Sequence, residues 1–109
     1  MTFNVEEIAQ TMIGAAREAV SDRWPQVQAL AEVEFRNLAG SLEAVGRLVA
    51  EGKIDQARAQ HHAHIYQITA RSILATAEGL GVLTAEQALN AGVLAVTKVV
   101  NTAVKFALL

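Results

Sequence analysis

Residues 85–109 read AEQALNAGVLAVTKVVNTAVKFALL, and whether this stretch is strand or helix decides the fold. Its valines favour a strand. Its polar residues do not: Asn90, Thr97 with Lys98, Asn101 with Thr102, and Lys105 recur near every third or fourth position, not every second. That is a helix period, and the segment is read as a helix. One stripe of it, Leu89, Val93, Val96, Val100, Ala103 and Ala107, faces the rest of the chain. A second stripe, Ala95, Val99, Thr102, Phe106 and Leu109, has Leu94 and Leu108 beside it, and a small bundle offers nothing to cover it. Residues 79–109 carry three charged side chains, Glu86, Lys98 and Lys105. So apolar a segment predicts self-association, with a two-fold dimer favoured because that closure is the commonest. A different protein chain or a membrane surface is the other class of partner. Ala88 with Gly92, and Ala91 with Ala95, are small enough for a neighbouring helix to come close.

The segments before it repeat the helical period. Val5, Ile8, Met12, Ala16 and Ala19 share one side of a helix over residues 4–20, with Asn4 as its cap and Glu7 completing a capping box. SDRWPQ, residues 21–26, interrupts it, because Pro25 lacks an amide hydrogen and disfavours helical geometry at Trp24. Trp24 reads as a packing anchor between the first two helices. From Pro25 to about Glu51, Phe35, Leu38, Leu42, Val45 and Val49 form a continuous seam, with Val27, Leu30 and Ala31 beside it. EGKID ends that helix, with Gly52 as a left-handed cap and Asp55 opening the next. The third helix is read from about Asp55 to Glu78. It carries Ile54, Ala57, His61, Ile65, Ile68, Ser72 and Ala75 on one side, where His61, between Ile54 and Ile68 in the heptad sense, is expected to be at least half buried; Ala59, Ala63, Tyr66, Ala70 and Ile73 form another apolar strip. GLGVLT, residues 79–84, is a stop, and Thr84 with Gln87 makes a capping box for the fourth helix. The expectation is an all-α protein: one domain over residues 1–109, a small four-helix bundle with an antiparallel central hairpin, completed by oligomerisation.

Composition narrows the function. The chain has 109 residues, 52% hydrophobic and 18% charged, with a net charge of -2. It is too apolar for a disordered tail and shows no basic footprint for nucleic acid. There is no cysteine, so disulfides and thiolate chemistry are excluded. The acidic residues in MTFNVEEIAQ do not suit a signal peptide, and Lys98 and Lys105 break the one stretch that approaches a membrane span. The expected location is the cytoplasm.

One motif opens onto chemistry. QHHAHIYQ, residues 60–67, holds all three histidines. His61 and His64 lie about 60° apart on a helix and point the same way, while His62 points elsewhere, toward solvent. The turn at Gly52 sets a hairpin register that puts Glu43 across from His64, Val45 across from His61, and Glu34 across from Arg71 or Ser72. On one reading, Glu43–His64 and Glu34–Arg71 are structural pairs. On the other, Glu43, His61 and His64 bind zinc or iron, with a second copy completing the ligand set. The di-iron bundles use Glu-x-x-His, and this helix has His61-x-x-His64. Ser41 and Ser72 can be drawn near His61, but no nucleophile elbow accompanies them. A non-enzymatic assembly protein is the leading expectation, and a metal-binding bundle is the alternative; the sequence does not specify a cofactor.

Overall fold

The computed structural model describes residues 3–109. Among these residues there are four α-helices and no strand: α1 Val5–Val20, α2 Trp24–Ala50, α3 Gln56–Leu74 and α4 Val82–Val104. The helix period of the last segment therefore prevails over its valine content. Among the described residues no helix is long and apolar enough to cross a membrane.

Neighbouring helices run antiparallel. Glu6 at the start of α1 reaches Arg36 midway along α2, and Arg71 near the end of α3 approaches Glu86 near the start of α4. The 27 residues of α2 span about 40 Å at 1.5 Å per residue, close to the 43 Å long axis of the molecule. α1 packs on both α2 and α4, and α3 packs mainly on α2.

The caps follow the sequence with two exceptions. The Asn4 side chain accepts from the Glu7 amide at 3.0 Å, and the Asp55 side chain accepts from the Arg58 amide at 2.7 Å. At the end of α2, Gly52 takes φ +73°, Gly52 N donates to Val49 O, and Lys53 N donates to Leu48 O. This double closure ends a helix in a left-handed residue. The break at SDRWPQ is a 3-10 turn, Ser21–Arg23, after which Pro25 sits in the first turn of α2, where its missing amide hydrogen removes no bond. Trp24 is buried, as expected of an anchor.

The exceptions flank the third loop. α3 ends at Leu74 rather than Glu78, and Thr76, through its hydroxyl and amide, closes onto Ile73 O. α4 begins at Val82, capped by Gly81 rather than by Thr84, which lies inside the first turn. Gly81 has φ +86°, a value L side chains rarely adopt, and its carbonyl accepts the first helical bond, from Ala85 N at 3.1 Å. That turn starts the helix two residues before the Thr84–Gln87 box. Arg23 secures the same loop from the α1–α2 elbow, donating to Gly79 O at 2.8 Å and to Leu80 O at 3.0 Å.

The core centres on a junction of α1, α2 and α4. Phe35 and Met12 are fully buried there, and Gly92 of α4 lies against them. A Cβ on Gly92 would stand 2.6 Å from the Phe35 ring and 3.3 Å from Met12 O, so the close approach exists because residue 92 has no side chain. Phe35, Leu38, Leu42 and Val45 are buried as the seam requires, and so are Leu89, Val96 and Val100 of α4.

α3 departs from expectation. Its buried residues are Ala59, Ala63, Ala70 and Leu74, whereas Ala57, His61, Ile65, Ile68 and Ser72 are exposed. Of the two strips, the one with Ala59, Ala63 and Ala70 is the core strip. Alanines at this spacing let α3 settle close against α2, and the broader stripe of Ile and His would hold the axes apart. At the other end α4 stops at Lys105, which takes φ +70°. Residues 106–109 then fold back instead of continuing the helix. Asn101 Oδ1 accepts from Leu108 N at 3.0 Å and from Leu109 N at 2.9 Å, and Gln60 of α3 donates to Ala107 O at 2.8 Å. Leu108 is buried by this return.

Candidate functional site

Three surfaces bear groups able to recognise something else. The first is the histidine face of α3. His61, His62 and His64 are all exposed. His62 stacks on Tyr66, with ring centroids 6.1 Å apart and planes 22° from parallel, and the His61 ring lies 6.4 Å from that of His62. The half-buried His61 predicted from the heptad pattern is corrected: rotation of the Ala59–Ala63–Ala70 strip onto α2 carries His61 and His64 outward together.

Glu43 goes the other way. Among the described residues it is the buried charged side chain, 8% exposed. Its carboxylate accepts from Arg47 Nε one turn along α2, at 3.3 and 3.5 Å. The proposed Glu43–His64 pair is therefore replaced by a Glu43–Arg47 pair, and Arg71 meets Glu86 at 3.9 Å rather than Glu34. Among the described residues no three of His, Cys, Asp or Glu are gathered where they could hold an ion. Within one chain, then, Glu43, His61 and His64 are not brought together. The i, i+4 spacing of Glu43 and Arg47 was a readable signal for this partner.

The second surface is a groove of about 250 Å³ between α2 and α3, lined by Glu34, Asn37 and Ser41 on one side and Tyr66, Thr69 and Ile73 on the other, among others. Its walls come from both helices of the hairpin. Ser41 faces this groove while His61 is exposed and not part of its lining, so the two do not form a nucleophile and base.

The third surface is larger and more apolar. α1 and α4 enclose a groove of about 490 Å³ whose walls are Ile8, Ala95, Val96 and Val99, with Glu6, Glu7, Gln10 and Thr11 along the α1 rim. Val99 in its wall is 56% exposed, and α4 also exposes Leu94 at 78% and, nearer its start, Leu83 at 76%. Of the uncovered stripe expected from the sequence, Ala95, Val99 and Thr102 are exposed, Phe106 and Leu109 are half-buried, and Leu108 is enclosed by the folded-back terminus.

Electrostatics at that rim are set by one pair. Arg36 donates to both carboxylate oxygens of Glu6, at 3.1 to 3.3 Å. The bond from Arg36, with help from Gln10, holds the Glu6 carboxyl below its ordinary pKa.

Comparison with known proteins leaves the geometry to speak for itself: no family model matches this chain, and neither a curated protein nor a solved structure is significantly similar to it.

Proposed function

We propose that this chain is a non-enzymatic assembly protein that self-associates through the exposed face of α4. The observation that carries the reading is Leu94 at 78% exposure and Val99 at 56%, set beside the apolar groove that α4 forms with α1. Fully covering an exposed leucine or valine is worth roughly 1.5–3 kcal/mol. Association costs at least about 4 kcal/mol in lost freedom. One such residue is therefore insufficient, while two from each copy of an isologous pair give roughly 6–12 kcal/mol, the same order as an association cost of about 4–15 kcal/mol. Ala91 and Ala95 on the same stretch of α4 add little bulk, so a second α4 crossing here can approach closely. Lys98, exposed among them, can meet the exposed Glu7 of a second copy at the α1 rim.

Sedimentation equilibrium over a wide concentration range tests this. The expected result is twice the 11.6 kDa chain mass for the native sequence and the single-chain mass for a Leu94→Glu, Val99→Glu double variant. A native protein that stays at 11.6 kDa at the highest concentration reached overturns self-association and leaves the face to a different protein.

A further inference from the structure

His61 and His64 sit one helical turn apart on an exposed face, where side chains three residues apart have Cβ atoms about 5–6 Å from one another. Two imidazoles at this spacing can converge on one ion. Zinc bound by protein takes four ligands in a tetrahedron with Zn–N distances of about 2.0–2.1 Å. The chain supplies half of that set on this face and no third donor, since Glu43 is buried and held by Arg47. The His62 ring is stacked on Tyr66, with the His61 ring 6.4 Å away. A second copy related by a two-fold axis would present the same two imidazoles, which completes the count without any other residue type.

The flanks of the pair suit such an arrangement. Ile65 and Ile68 are exposed at 42% and 38% on the same stripe, with the small Ala57 and Ser72 beyond them. A second α3 laid antiparallel across this face would cover both isoleucines while bringing the four histidines together. Arg71, the nearest cation toward the helix end, is turned to Glu86. Arg58, one turn before His61, is the charge that opposes a bound cation, and the exposed Asp55 lies one turn before it.

We propose that His61 and His64 form half of an interfacial zinc site, closed by the same two residues of a second copy across the exposed face of α3. This inference does not rest on the α4 face: it concerns a different helix, and the two can fail separately.

The experiment uses untagged protein carrying Leu94→Glu and Val99→Glu, so that pairing through α4 is removed, with stoichiometric zinc followed by sedimentation and by metal analysis after gel filtration. The expected outcome is a doubling of mass on adding zinc, one zinc retained per two chains, and reversal by a chelator. His61→Gln and His64→Gln should each abolish the doubling, and His62→Gln should leave it intact. Cobalt substituted for zinc should give the intense visible bands of a tetrahedral site. The three histidine variants change exposed side chains only, so they keep the fold. The proposal is overturned if zinc leaves the mass at that of one chain, if it binds one ion per chain without pairing, or if His62→Gln is as damaging as His61→Gln. If instead the double α4 variant is already a dimer without metal, the reading of the α4 face fails, while the histidine variants still decide the zinc site by stoichiometry and cobalt spectrum.

Discussion

α1 and α3 flank the same long α2, yet they are held in different ways. α1 sits in a junction built from large side chains, with Met12 and Phe35 meeting over a glycine of α4. α3 is held by alanines, with Leu74 at its end and Tyr66 half-buried at its edge. Large interlocking residues resist both shrinkage and growth. Alanine contacts bury less apolar area per residue but demand close approach, so they tolerate trimming elsewhere on the helix and do not tolerate growth. The cost of truncation should therefore concentrate around α1, and the cost of enlargement should be felt at both.

The largest effect tests that asymmetry directly. Phe35→Ala removes the ring that joins three helices and should destabilise the protein by about 3–5 kcal/mol. Chemical denaturation measures it. Ile65→Ala, on the exposed face of α3, should change stability by less than about 0.5 kcal/mol. Equal losses at the two positions would mean that the α3 face is covered in solution, and the comparison would then have to be made on the assembly.

Enlargement sharpens the same contrast. Gly92→Ala puts a methyl 2.6 Å from the Phe35 ring, for an overpacking cost of about 1–3 kcal/mol, offset by roughly 1 kcal/mol of helix propensity. Ala63→Leu, at a fully buried contact of α3, should cost about 1–3 kcal/mol by the same mechanism, without that offset. Hydrogen exchange locates the damage. Ala63→Leu should speed exchange in α3 and spare α1, and Gly92→Ala should do the reverse.

These two helices also mark how far the sequence can be read. The α1 cap, the Phe35 seam, the turn at Gly52 and the helical nature of residues 85–109 all follow from local spacing, because one residue type dominates each pattern. The facing of α3 does not, because both of its stripes have the helical period. Ile54, His61, Ile65 and Ile68 outweigh Ala59, Ala63 and Ala70 in bulk, but distance to α2 decides, and that is a tertiary quantity. The facing of α3 also decides the candidate site: with the alanine strip on α2, His61 and His64 face outward and Glu43 pairs with Arg47. The start of α4 was lost to a similar competition, in which Gly81 opened the helix before Thr84 could cap it. Arg23 bonding to Gly79 and Leu80, fifty-six and fifty-seven residues away, left no local signal at all.

A smaller effect reaches the seam between the two halves. Asn101 gathers both terminal amides, and the same returning segment accepts a bond from Gln60 of α3. Asn101→Ala should cost about 1 kcal/mol. It should also raise hydrogen exchange at Leu108 and Leu109, and at the start of α3, which loses its tether to the terminus. If α3 stays protected, its alanine contacts with α2 suffice alone.

The smallest effect belongs to the surface pair at the other end of α1. Arg36 and Gln10 hold the Glu6 carboxyl below its ordinary pKa, so folding is favoured by the ionised form. The sign follows from linkage: the increment is fully present above the unfolded value, near pH 4.5, and is lost as the pH falls through the lower folded value. Glu6→Gln removes it. The denaturation midpoints of native protein and variant should therefore differ by a constant amount at neutral pH and converge in acid, with the gap narrowed by salt because the pair is exposed. The pair joins the start of α1 to α2 and touches nothing in α3. Acid should loosen α1 at its first turns while α3, packed on α2 through Ala63, Ala70 and Leu74, keeps its exchange protection beyond the Asp55-capped first turn, and equal loss along both helices would show that α3 depends on α1 being in place.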